Sequence, residues 1–419
     1  MLIKGKRLPE FWRRVSIVLM GTVVAQAIPL AILPILTRIL PPEAIGQYAM
    51  WLGIATVSSV AATLRLDIAI FNARTPEEVG ALIKAAIISA ISISGVLVIV
   101  VSLIRATCSG CGTATVIGAG AYEAAAMAAV LAISQTVLAA YVYRARFARQ
   151  AFARMTLAGT VALAQLGAVL AGYGVPGMIV AQLVTSALVV SWFLFDIRED
   201  FLAGGPSFSV KQFAATMRAN WRFPVYSMPG DFVSSFAAQL PLFVLGGRFG
   251  PAAAGQYSLT SRTLSAPVGI LASSVLSVFK EEAARQYREH GSCLPAYRRA
   301  LRSLAVLGLA PFLAVLFFSV PLFEFVFGDE WGYAGRIAMF LSPMFYLKFI
   351  ASPLSYTMYL ANRQLHDLLW QLALLAMTAS AFYFSRSMDL AVMAYSAGYC
   401  ALYVVYLRMS YLAAKGTRL

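Results

Sequence analysis

Five charged side chains lie inside stretches that are otherwise apolar enough for the hydrocarbon of a bilayer. Arg65 and Asp67 sit in Leu64-Arg65-Leu66-Asp67, Asp231 follows Pro229-Gly230, and Arg262 and Lys348 stand in later apolar runs. A charge at the bilayer centre costs about 2.5–3.5 kcal/mol on insertion scales, so one that is kept normally faces a wet cavity or a partner. The three cations suit an anionic group, and the two carboxylates suit a proton or a small cation. Plainer readings stand beside these. Arg65 and Asp67 are near enough to the inner interface to snorkel, and Lys348 can snorkel part way. Arg262, deep in its helix, is the hardest to explain in that manner. Pro229-Gly230 removes a helix hydrogen bond and lowers the cost of bending, so a kink or break is expected about one third of the way across that span. A broken half-helix there would offer free N–H groups to an anion while Asp231 held a cation or proton, and a hinge without a ligand is the simpler alternative. Gln26, Gln135, Gln165, Gln182 and Gln239 are read as bonds to neighbouring helices.

The elements that must hold these side chains follow from composition. The 419 residues are 60% apolar and only 12% charged, against about 25% charged in soluble domains. Twelve segments have the roughly 20 apolar residues that a membrane-spanning helix needs. They run over about 16–39, 44–70, 81–104, 116–142, 153–172, 175–197, 223–247, 252–279, 301–326, 333–360, 365–384 and 388–411. A shift of 209 residues brings the chain into register with itself: Trp12-Arg13 falls on Trp221-Arg222, Gly21 on Gly230, Pro42 on Pro251, and Gly46-Gln47-Tyr48 on Gly255-Gln256-Tyr257. Six spans per copy is an even number, so the copies enter from the same side and form parallel repeats. The expected fold is an all-α polytopic membrane protein of about twelve helices, with six-helix bundles over 1–200 and 223–419 joined by a cytoplasmic linker, 201–222. Residues 208–221 are expected to form a short interfacial helix.

Loop charge sets the orientation. Lys4, Lys6, Arg7, Arg13 and Arg14, then Arg144, Arg146, Arg149 and Arg154, then Lys280, Arg285, Arg288, Arg298, Arg299 and Arg302 all fall on one side, which places both termini in the cytoplasm. The same rule accounts for the net charge of +15, and no nucleic-acid-binding pattern accompanies it. No Walker A loop is present, so this chain is not expected to hydrolyse ATP. His290 and His366 lack metal-ligand spacing. Cys108-Ser-Gly-Cys111, in the loop between spans three and four, reads either as a disulfide or as small residues in a turn. Outer loops of about ten residues leave no soluble domain for chemistry, so no enzyme is expected.

Several stretches resemble a known family. Leu33-Pro34-Ile35-Leu36-Thr37-Arg38, Gly46-Gln47-Tyr48-Ala49 and Leu64-Arg65-Leu66-Asp67-Ile68-Ala69-Ile70 are similar to the opening of bacterial Wzx-type polysaccharide flippases of O-antigen and lipopolysaccharide biosynthesis. In the second half, Phe223-Pro224-Val225-Tyr226, Phe327-Gly328-Asp329-Glu330-Trp331 and Ser352-Pro353-Leu354-Ser355 agree with that family. The resemblance implies the fold of the multidrug/oligosaccharidyl-lipid/polysaccharide exporter superfamily, two six-helix bundles around a central cavity that alternates between sides. It implies flipping of an undecaprenyl-diphosphate-linked oligosaccharide to the outer leaflet of the inner membrane. Arg65, Arg262 and Lys348 would then offset the diphosphate, Asp67, Asp231, Pro229 and Gly230 would serve ion coupling or gating with H+ or Na+, and no cofactor is needed. Its partners would be the lipid-linked glycan, the bilayer and other polysaccharide-assembly membrane proteins. The competing readings are an ion-coupled drug or metabolite exporter of the same superfamily, a polyprenyl-dependent glycosyltransferase or polymerase, and a lipid II flippase.

Overall fold

The computed structural model describes residues 10–107, 120–199, 209–361 and 363–416. Among them all regular structure is helical. A backbone in oil must satisfy its own N–H and C=O groups, and a helix does so within one segment.

The first repeat contains α1 (Glu10–Ile39), α2 (Pro42–Ala62), the single turn α3 (Leu66–Ala69) continued by a 3-10 turn (Ile70–Asn72), α4 (Pro76–Thr107), α5 (Ala121–Tyr143), α6 (Phe147–Leu170) and α7 (Gly174–Asp196). A short helix α8 (Val210–Ala219) follows, then a π-helical turn (Phe223–Ser227) that runs into α9 (Met228–Phe249). The rest comprises α10 (Pro251–His290), α11 (Leu294–Phe327), α12 (Gly332–Leu354), α13 (Tyr356–Leu360), α14 (Gln364–Phe384) and α15 (Met388–Lys415). Where they are described, the twelve apolar segments are helical apart from short turns, of which the one at residues 63–65 breaks the second segment. By length and composition, nine helices among the described residues can cross a membrane, or ten with α2 and α3 taken as one bent span. The chain is a multi-pass membrane protein, but twelve crossings are not reached on that measure. The two expected spans it leaves out lie in α10, which is rich in hydroxyls around Arg262, and in α14, which supplies only a shorter apolar helix, Leu369–Phe384.

The expected helix in the linker is present as α8. Its start is a capping box: Ser209 Oγ accepts from the Gln212 N–H at 3.2 Å and Gln212 Oε1 accepts from the Ser209 N–H at 2.8 Å. Cys108 and Cys111 lie outside the described residues.

The chain clusters into two compact units. Unit 1 comprises the described residues up to Leu36 and Gln47–Gln239, and unit 2 comprises Thr37–Gly46 and the described residues from Leu240 onward. The core of unit 1 gathers Leu66 and Ile70 with Ile83 of α4, Tyr141 of α5 and Phe193 of α7. In unit 2, α12 is the most enclosed span, with Leu341, Phe345 and Phe349 buried.

Unit 2 also explains several of the matched sequence stretches. The Trp331 Nε1–H donates to the Thr37 carbonyl at 2.8 Å, Arg38 Nη2 donates to the Phe325 carbonyl at 2.7 Å, and Gln256 Nε2 donates to the Glu330 carbonyl at 2.8 Å. The two register-matched glycines meet: Gly46 lies against the backbone of Pro251 and Gly255, and Gly255 against that of Pro42 and Gly46. A Cβ on either would collide with main chain, so small residues at both positions are what permit the close approach of the ends of α2 and α10. These stretches hold structure together.

Candidate substrate and ion sites

Unit 1 contains a charged cluster at a break in the second span. After Ala62 the chain leaves the helix, and Leu64 and Arg65 take left-handed conformations with φ of 50° and 58°. The axis turns by 50° before α3 resumes. A left-handed non-glycine residue costs about 1–2 kcal/mol. Burying an aliphatic side chain stabilises by about 1.5–3 kcal/mol, and Leu66 and Ile70, both wholly buried in the unit 1 core, offset the strain. The Arg65 N–H donates to Thr63 Oγ1 at 3.1 Å, which satisfies one group freed by the break.

The break aims Arg65 at two carboxylates. Its Nε donates to Asp231 Oδ2 at 2.6 Å, and its Nη1 lies 3.6 Å from Asp67 Oδ2. Asp67 is buried, and among the described residues its Oδ1 has no hydrogen-bond partner. The Asp231 side chain is 40% exposed. With all three ionised, the cluster carries two negative charges against one positive. Arg65 is therefore turned into protein, not towards the interface.

Asp231 stands at the start of α9. The π-helical turn immediately before it absorbs the distortion that Pro224 and Pro229 introduce, so the span continues through Pro229 and Gly230 unbroken. The half-helix end with free N–H groups is not formed. A wider turn is the other common response to a proline in a helix. Gly230 has open space where a Cβ would be, so packing does not require glycine there.

Lys348 sits in a different setting, on α12 in unit 2. Its Nζ is 5.6 Å from the centroid of the Phe345 ring. Among the described residues no carboxylate pairs with it. It lines a cavity of about 270 Å³ between α10 and α12, whose walls include Gly269, Ala272, Leu276, Phe345 and Ser352. Arg262 is exposed on α10, one turn before the cavity wall at Ser265.

The glutamines behave as helix-to-helix bonds where the structure records them. Gln165 Nε2 donates to Tyr48 Oη at 2.6 Å and to Gln182 Oε1 at 3.0 Å, and Gln135 Nε2 donates to Ser59 Oγ at 3.4 Å. The sequence reading missed the break at Leu64-Arg65, where neither proline nor glycine marks it. The clue was the charged tetrapeptide in an apolar run. Lys280, which the sequence accounts for by topology alone, has its Nζ 5.3 Å from the Tyr356 ring centroid.

Set against known proteins, a family profile described as polysaccharide biosynthesis protein matches residues 35–335. The chain belongs to that family. By sequence, no curated protein matches the chain. Its fold is that of several solved transporters. The lipid II flippase MurJ in an inward closed conformation aligns with a TM-score of 0.66 and 12% identity, covering 93% of this chain and 86% of that one. An inward-facing multidrug resistance MATE family transporter of the MOP superfamily gives 0.64 and 16% identity, with 93% and 97% covered. The MATE transporter VcmN of Vibrio cholerae gives 0.59 and 12% identity, with 96% and 95% covered. At such identities the likeness is one of fold.

Proposed function

We propose that this protein is a flippase that moves an undecaprenyl-diphosphate-linked oligosaccharide from the inner to the outer leaflet of the bacterial inner membrane by alternating access, with both termini cytoplasmic and no covalent step. The observation that carries this reading is Lys348, a membrane-embedded cation beside a cavity, with a ring but no carboxylate against it among the described residues. An ammonium in that setting gains most from an anionic group such as a phosphate. Arg262, one turn from the cavity, adds a second positive charge. The polysaccharide biosynthesis family and the MurJ-like and MATE-like fold support a role in moving glycan precursors.

The cluster in unit 1 serves the coupling ion. Asp67 and Asp231 take up H+ or Na+, and Arg65 becomes available to a phosphate only when Asp231 is neutralised and releases it. Pro229, Gly230 and the π turn give α9 the freedom to move Asp231 off Arg65. Membrane potential, negative inside, assists outward movement of an anion by about 2.3 kcal/mol per charge per 100 mV.

Reconstitution with a labelled lipid-linked oligosaccharide and a leaflet-accessibility assay tests the proposal. Wild-type protein should flip the lipid, and Lys348→Ala, Arg262→Ala and Asp231→Asn should each slow it. Unchanged transport in all three would remove these site assignments, and sugar transfer by the purified chain would favour a glycosyltransferase. The surplus negative charge around Arg65 supports a second reading, an ion-coupled drug or metabolite exporter. Export of organic cations without glycan flipping would select it.

A further inference from the structure

We propose that Lys280 and Tyr356 form a capture station for a phosphorylated headgroup at the inner end of the groove between α10 and α12, from which the group passes to Lys348. This rests on the flippase reading and extends it to two residues outside that assignment. Lys280 is exposed, and its contact is the face of the Tyr356 ring, 5.3 Å away. Among the described residues no carboxylate pairs with it, although acids are close in sequence. Glu282 is taken by Arg285 at 2.6 Å and by Gln286 at 2.7 Å. An ammonium held by a ring keeps N–H groups directed away from that ring, and the attraction at an exposed site is weak enough for an anion to share it. The ring also limits the freedom of a long, flexible side chain before any ligand arrives.

Position ties the pair to the cavity. Leu276, one turn before Lys280 on α10, lines it, and so does Ser352, one turn before Tyr356 on the other wall. Arg262 and Lys280 are eighteen residues apart, which is about five full helical turns and roughly 27 Å along one face of α10. One helix face thus carries Arg262 in the interior of the span and Lys280 five turns on, and Lys348 enters the groove from α12 between them. On the orientation set by loop charge, Lys280 is at the cytoplasmic end, where an inner-leaflet headgroup would first meet the groove. Point-charge ammonium groups spaced along a path suit a phosphate, which can exchange one lysine for the next.

The experiment uses the purified full chain in detergent with dansyl-labelled polyprenyl diphosphate, its neutral dansyl-polyprenol counterpart, and inorganic diphosphate as competitor. Wild-type protein should bind the diphosphate lipid more tightly than the polyprenol. Lys280→Ala should weaken the diphosphate lipid about tenfold, the scale of one charge-assisted contact, and leave polyprenol binding as it was. Tyr356→Leu should weaken it several-fold, while Tyr356→Phe and Lys280→Arg should retain binding. Competition by inorganic diphosphate would show that the headgroup alone is recognised. Lys280-dependent binding without such competition would show that the phosphate must be carried on a lipid. Equal binding by wild type and Lys280→Ala, or equal loss for both lipids, overturns the inference even where wild-type protein flips glycan lipid. Lys280-dependent binding by a protein that flips nothing would keep the station and remove the flippase reading.

Discussion

Arg65 in unit 1 is held between Asp231 at 2.6 Å and Asp67 at 3.6 Å, whereas Lys348 in unit 2 meets the Phe345 ring and an open cavity. Both are cations within helical spans of the chain. Among the described residues, one is over-compensated by acid and the other has no acid paired with it. The contrast shows how two regions of one helical scaffold can differ in electrostatics. On the proposed reading, the cluster with surplus acid serves protons or small cations, and the cation beside the cavity serves phosphate. Neither assignment follows from counting charges over the whole membrane region, where the two surpluses cancel in part.

The largest test of this contrast is Arg65→Ala. Removing one partner of a buried pair leaves an uncompensated carboxylate at Asp67 and costs about 3 kcal/mol or somewhat less, because Asp231 is partly exposed. Thermal denaturation in detergent should show the loss, and a variant as stable as wild type would mean that the cluster is not a coupled unit. Lys348→Ala should behave in the opposite manner. Its stability should stay within about 1 kcal/mol of wild type, since no partner is orphaned, while flipping falls about tenfold or more, the value of one charge-assisted contact. A large stability loss with flipping intact per folded molecule would reverse the roles of the two regions.

Asp67→Asn sharpens the comparison at smaller amplitude. It removes the buried carboxylate whose Oδ1 has no partner among the described residues and leaves Arg65 matched one to one with Asp231. The expected result is stability unchanged or raised by about 1 kcal/mol, together with loss of the response of flipping to an imposed proton or sodium gradient. A gradient response equal to that of wild type would remove Asp67 from coupling.

The smallest effect concerns Cys293, which reports whether unit 2 stays packed in these variants. It lies in the turn between α10 and α11, wholly buried, with its N–H donating to the Ala414 carbonyl at 2.9 Å. Burial pushes the thiol up from 9.0 to about 11. The thiol resists ionisation in the fold, so its contribution to stability is complete below the ordinary thiol value and is lost as pH rises towards about 11. At neutral pH a maleimide should leave Cys293 unmodified in wild type and in Lys348→Ala. Rapid labelling in Lys348→Ala alone would trace its lost transport to unpacking of unit 2.

The residues differ in how readable they were. The helices, the membrane class and the charged positions 65, 67, 231, 262 and 348 were all legible, because apolar run length and charge inside such runs are properties of the linear chain. The matched stretches around Thr37-Arg38 and Trp331 were legible as motifs but not as a clasp, since their hydrogen bonds join residues almost 300 positions apart. The kink expected at Pro229-Gly230 became a π turn placed earlier. The real break came at Leu64-Arg65, where backbone preference argues against one.

By itself the sequence determined that this chain would be helical and membrane-embedded, because a backbone in hydrocarbon has almost no other way to satisfy its hydrogen bonds. It also determined which charges would be costly enough to need a purpose. Tertiary structure alone decided what each charge meets. The partner of Arg65 lies 166 residues away, and the strained turn that delivers Arg65 to it exists only because Leu66 and Ile70 are drawn into the unit 1 core. Lys348 was left facing a cavity for the complementary reason: the packing of α10 against α12 brought a ring and small side chains to it and, among the described residues, no acid.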